Sequence, residues 1–127
     1  MSHPVVNWQI LTAQPQRLEQ FYGSLFGWTF THDAAVGYWR VHTGSDEGIQ
    51  GALWPIPPGQ GHALVQLFVR VADVAAQVGQ AQALGARVVV PATRLPEGDA
   101  MAVLVDPEGI PFAVIGPPGA SAHPLGL

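Results

Sequence analysis

Polar Asn7 and Gln9 alternate with Val6, Trp8 and Ile10 along residues 5–11. A period of two predicts a half-buried strand. The period then lengthens. Leu18, Phe21, Tyr22 and Leu25 stand at i, i+3, i+4 and i+7, with Pro15 suited to a first helical turn and Gly27 to a left-handed stop. That pattern predicts one amphipathic helix with a sharp end. Two short runs rich in aromatic and β-branched residues follow at 28–32 and 38–43, with a turn at 33–37 between them. After a second turn at 44–48 comes a fourth strand at 49–54. The stretch Pro55-Ile56-Pro57-Pro58-Gly59-Gln60-Gly61 can continue neither a helix nor a central strand, and it marks mid-chain.

The same order of elements then returns. Residues 64–71 alternate, with Val65, Leu67, Val69 and Val71 on one face and Gln66, Phe68 and Arg70 on the other. Asp73 is a good N-cap for a helix carrying Val74, Val78, Ala81 and Leu84 and ending at Gly85. Strands are predicted at 87–90 and 100–105, separated by a turn-rich stretch at 91–99. Asp106-Pro107-Glu108-Gly109 has the composition of a type I turn, leading to a closing strand at 111–115. The Gly-, Pro- and Ala-rich residues 116–127 predict a frayed tail. Strand, helix and short strands recur around Gly27 and Gly85, which argues for a duplicated unit. The expected layout is one domain over 1–127, with modules at 5–54 and 64–115 joined by a linker at 55–63.

Composition narrows the function classes. The 127 residues suit a single core, 48% of them are apolar, and only 11% are charged, against about 25% in an average domain. So few charges leave apolar surface to cover, and a homodimer is the expected way of covering it. The formal net charge is −4, and five Lys plus Arg are scattered along the chain. Such a chain has no basic stripe for nucleic acid. No apolar run approaches a membrane span, and the start lacks a basic and then apolar leader, so a cytoplasmic protein is expected. There is no Cys, which excludes disulfides and thiolate chemistry.

The segments Phe21-Tyr22-Gly23-Ser24-Leu25-Phe26-Gly27-Trp28, Ala83-Leu84-Gly85-Ala86 and Asp106-Pro107-Glu108-Gly109-Ile110-Pro111-Phe112, in that order and spacing, resemble the glyoxalase, bleomycin-resistance and ring-cleaving dioxygenase superfamily, the vicinal oxygen chelate fold. The resemblance implies an α+β fold of two βαβββ modules forming an incomplete eight-stranded barrel, frequent dimers, and a site inside the resulting cup. Enzymes of this superfamily hold a divalent metal with His, Glu or Gln from the first and last strands of each module. By that resemblance the positions fall on Asn7, Gln66 and Ala113, with the fourth near Gln50 or Ala52.

These residues predict no metal. All nine carboxylates fall in predicted helices or turns, and among the histidines only His32 and His42 fall in strands. His3 and His123 are near the ends, and His62 is in the linker. Divalent zinc, nickel or iron takes three or more imidazole, carboxylate or thiolate ligands.

Strand parity assigns Asn7, Gln9, Tyr38, Arg40, His42, Gln50, Trp54, Gln66, Phe68 and Arg70 to the cup. Trp8, Trp28 and Trp39 are assigned to the helix–sheet core or a dimer contact. An aromatic, amide and guanidinium lining suits a flat, partly apolar ligand, and an inward Arg favours an anionic group. His42 is the one inward acid–base candidate and has no evident carboxylate partner. No Ser stands in a nucleophile context.

The expectation is a small-molecule binder without cofactor, taking an aromatic or anionic ligand, with enzymatic activity left open and the weight against it. The alternatives are a metal-dependent lyase, isomerase or dioxygenase of the same superfamily, and an interaction module whose cup is vestigial.

Overall fold

The computed structural model describes residues 2–56 and 61–119. Part of the expected linker, most of the expected tail and His123 lie outside them. The described residues form eight strands and two helices, an α+β arrangement in which a βαβββ unit occurs twice. The chain divides into two compact units, one of residues 6–66 and the other of residues 1–5 with 67–127. No helix among the described residues is long and apolar enough to cross a membrane.

The first unit contains β1 (Val5–Thr12), α1 (Pro15–Phe26), β2 (Thr29–Asp33), β3 (Tyr38–His42) and β4 (Gly51–Pro55). Its strands lie in the order β2-β3-β4-β1, with β4 parallel to β1 and antiparallel to β3. Pro15 opens α1, and Gly27 closes it in the left-handed region at φ 71° while its N–H donates to Gly23 O. The helix-side face of the sheet is aromatic. The Trp8 ring lies 5.6 Å from that of Trp28, which stacks on Tyr22 at 5.3 Å. Val41 and Leu53 are buried on the same face. Gly51, paired with Trp8, is the close approach that makes this packing possible: a Cβ there would sit 2.2 Å from the indole ring. Trp39 stacks on His32 at 4.4 Å.

The second unit carries β5 (Leu64–Arg70), within which the unit boundary falls, then α2 (Val74–Ala83), β6 (Arg87–Arg94), β7 (Ala100–Val105) and β8 (Pro111–Gly116). The strand order is β5-β8-β7-β6. Asp73 caps α2 by accepting from the Ala76 N–H at 2.9 Å. Asp106 accepts from the backbone N–H groups of Glu108 and Ile110, and Gly109 takes φ 95°, which closes the β7–β8 hairpin. The core beneath α2 is made of small residues: Val71, Val74, Ala92, Ala100, Ala102, Leu104 and Val114.

Two sequence expectations are corrected. The strand read as ending at residue 90 runs on to Arg94 through Pro91. It is the outer strand of its unit, and its pairing with β7 shifts register on either side of Val90, so a residue without an N–H costs little there. The apolar face read along residues 64–71 also splits. Val69 and Val71 join the core beneath α2, whereas Val65 and Leu67 are exposed and Gln66 and Phe68 are buried.

Candidate functional site

The candidate site is the face of the first unit's sheet that turns away from α1. Alternation and register put its side chains in rows across the strands. One row runs Gln9, Ala52, Arg40, Thr31, from β1 through β4 and β3 to β2. Its small member, Ala52, is buried and stands between two long polar side chains. The neighbouring row carries Leu11 and Trp54, then Tyr38 and Asp33. Tyr38 and Trp54 stack face to face, with centroids 4.6 Å apart and planes 6° from parallel.

The polar groups on this face differ in how they are satisfied. Arg40 Nε donates to Tyr38 Oη at 2.9 Å, and its Nη2 lies 3.9 Å from Asp33 Oδ2. His42 Nε2 and Thr31 Oγ1 are hydrogen-bonded at 2.8 Å. By contrast, Trp54 Nε1 is buried and meets no acceptor among the described residues. Gln9 is 7% exposed and Gln66 6% exposed, yet neither amide makes a hydrogen bond to the described residues. Buried polar groups are normally paired, because leaving one unpaired costs about 1–3 kcal/mol. Trp54 Nε1 is therefore the buried group on this face with unused capacity, and Gln9, on the paired strand and the same face, adds an amide with no hydrogen bond to the described residues.

The remaining sequence-predicted residues stand in different surroundings. Asn7 lies on the Gln9 face of β1 by alternation. Gln50 precedes β4, and its amide is taken up by the turn, accepting from Thr43 N at 3.2 Å and donating to Ser45 O at 3.0 Å. It is a turn brace. Phe68 is buried and paired with Ala113, while Arg70 is half-exposed with its Nη1 3.5 Å from Asp99 Oδ2. Strand parity does not assign Leu11, Thr31, Asp33 or Ala52 to this face, although the family resemblance names Ala52 as a possible fourth-strand position. Asp33 ends β2 and is not a loop residue, so the statement that every carboxylate lies in a helix or turn is corrected. Ala52 matters for its smallness. Extending the alternation from Thr31 would have found Asp33, but nothing local marks Ala52.

A family model of the glyoxalase-like domain matches residues 5–115. The chain belongs to that family. No curated protein sequence is similar enough to count as a relative. Among solved structures, methylmalonyl-CoA epimerase from Mycobacterium tuberculosis is 19% identical over 89% of this chain and 87% of its own, at TM-score 0.59. A hypothetical protein from Bacillus halodurans C-125 is 11% identical, at 97% and 100% coverage and TM-score 0.65. A Legionella pneumophila protein described as an NAD-dependent benzaldehyde dehydrogenase is 16% identical, at 87% and 96% coverage and TM-score 0.61. At such identities the likeness shows the glyoxalase-like fold and no more.

The glyoxalase-like superfamily implies a divalent metal, and the donors present here do not fit one. Asn7 and Gln66 offer neutral amides. On the fourth strand Ala52 shares the Gln9 row, and the amide of Gln50 is engaged in its turn. In the second unit the row Phe68, Ala113, Val103 contains no donor at all. Asp33 pairs with Tyr38, at the opposite end of the β2–β3 ladder from His42, and its carboxylate accepts from the Ala35 and Val36 N–H groups and faces Arg40. No three His, Asp or Glu of the described residues are grouped to hold an ion.

Proposed function

We propose that this glyoxalase-like protein binds a flat, partly apolar small molecule without a metal, on the face built around Ala52. One observation carries the proposal: on that face, next to an aromatic stack, Trp54 Nε1 is a buried donor without an acceptor among the described residues, and the neighbouring Gln9 makes no side-chain hydrogen bond to them. A ligand oxygen accepting from the Trp54 indole N–H, together with a polar atom meeting the Gln9 amide, satisfies both. Its ring then lies against the Tyr38–Trp54 pair.

Both guanidiniums read as anion receptors already face carboxylates, Arg40 with Asp33 and Arg70 with Asp99. A neutral aromatic amide or ketone is favoured over an anion for that reason. The methylmalonyl-CoA epimerase likeness favours a second reading, a metal-dependent isomerase or lyase. The donor set counts against it. Element analysis of protein purified without chelator separates the two: near-stoichiometric zinc, nickel, manganese or iron favours the second.

A thermal-shift screen with neutral bicyclic amides and ketones tests the binding itself. Ligands that bind the native state raise the melting temperature by mass action, and Trp54→Ala is expected to abolish that response. A response unchanged in Trp54→Ala removes this face from the proposal.

A homodimer belongs to the same reading. Phe21, Leu25 and Phe26 of α1 are each more than half exposed, which supports a covered helix face. Sedimentation equilibrium at micromolar concentration is expected to give twice the chain mass, and monomer alone would contradict it.

A further inference from the structure

The second unit contains a pocket of about 220 Å³ between α2 and its own sheet, on the opposite side of that sheet from Phe68 and Ala113. Its origin is legible in α2. The residues of this helix that reach the core are Val74, Val78 and Ala81, and at Ala81 a single methyl group faces the sheet. The floor stays intact, formed by Val69, Leu104, Phe112 and Val114. The space is left by short side chains above a well-formed apolar surface.

The pocket is chemically two-sided. Its depth is aliphatic and aromatic, whereas half-buried Gln77 and exposed Gln80 and His3 border it. His3 is brought there because the chain before β1 runs beside β5, where Pro4 O accepts from Arg70 N at 2.9 Å. Apolar cavities of about 150 Å³ stay dry and accept a benzene-sized guest. A somewhat larger volume with amides at its border suits one ring bearing one small polar substituent.

We propose that this pocket is a second ligand site, selective for an uncharged single-ring aromatic molecule with one hydroxyl or carbonyl group. The ring rests on Val69 and Phe112, and the substituent reaches the Gln77 or Gln80 amide. The site is independent of the Ala52 face, since it is built within the second unit and shares no residue with that face.

Benzyl alcohol is the probe. Titrated into the full chain and followed by amide NMR, it is expected to give saturable shifts concentrated at Val78, Ala81, Leu104, Phe112 and Val114. Ala81→Leu fills the space and is expected to weaken binding by at least about tenfold, with a melting temperature equal to or above that of the parent. Ala81→Met fills it with a flexible chain and keeps the test sharp if Leu misfits. Trp54→Ala is expected to leave the titration unchanged, which distinguishes failure here from failure of the Ala52 face. The proposal is overturned if no saturable shift appears up to the solubility limit, if the shifts centre on residues 38–54, or if a folded Ala81→Leu or Ala81→Met binds as the parent does.

Discussion

Replacing Gly51 with Val is expected to cost about 3 kcal/mol of stability, lowering the melting temperature by roughly 10 °C, at the upper end for overpacking. The new Cβ alone would overlap the Trp8 ring at 2.2 Å. That ring cannot easily yield. Its Nε1 donates to Ile49 O at 3.2 Å, and the Trp28 ring stands 5.6 Å away. The backbone cannot yield either, because Gly51 is in register with Trp8 on one side and Val41 on the other. Urea unfolding followed by Trp fluorescence measures the loss. A midpoint equal to that of the parent would show that the Trp8–Gly51 contact does not hold the sheet to its helix.

The second large effect separates binding from folding at one residue. Gln9→Leu removes a nearly buried amide that makes no hydrogen bond to the described residues. The variant is therefore expected to be more stable than the parent, by about 1 kcal/mol. The same change is expected to weaken a ligand found by the thermal-shift screen by about tenfold. Stability gained while affinity falls is the signature of a residue held for function. A structural Gln9 would give the opposite sign, a loss of stability with affinity unchanged.

Much of the fold was legible because its signals are local. The apolar stripe Leu18, Phe21, Tyr22 and Leu25 with Gly27 behind it needs only a helix period and a stop, and α1 ends where that stop stands. Asp73 and the Asp106 turn act through their own side chains within a few residues. Pro91 misled because a proline signals a break locally, whereas its tolerance depends on which strand is outermost, a property of the whole sheet. Val65 and Leu67 misled because alternation tells which residues share a face but not how far a helix covers it.

The candidate site was legible only as a set of faces. Alternation puts Tyr38, Arg40 and His42 together, since one strand carries all three. It cannot bring Gln9 level with Ala52 or Arg40, because strands distant in sequence must pair before rows exist. Gln50 shows the converse. Two residues before Ala52 it has the right parity, but Thr43 and Ser45 draw its amide into the turn. The place of Ala52 between Gln9 and Arg40 has no sequence signal of its own, because it arises only where four strands align.

The most direct test is a crystal structure of the protein purified without chelator and soaked with a ligand from the screen, with anomalous data collected for transition metals. The account predicts planar ligand density over Ala52, within hydrogen-bonding distance of Gln9 and Trp54 Nε1, and no anomalous peak nearby. An anomalous peak coordinated by Asn7 or Gln66, or ligand density that avoids the Ala52 row, would contradict it.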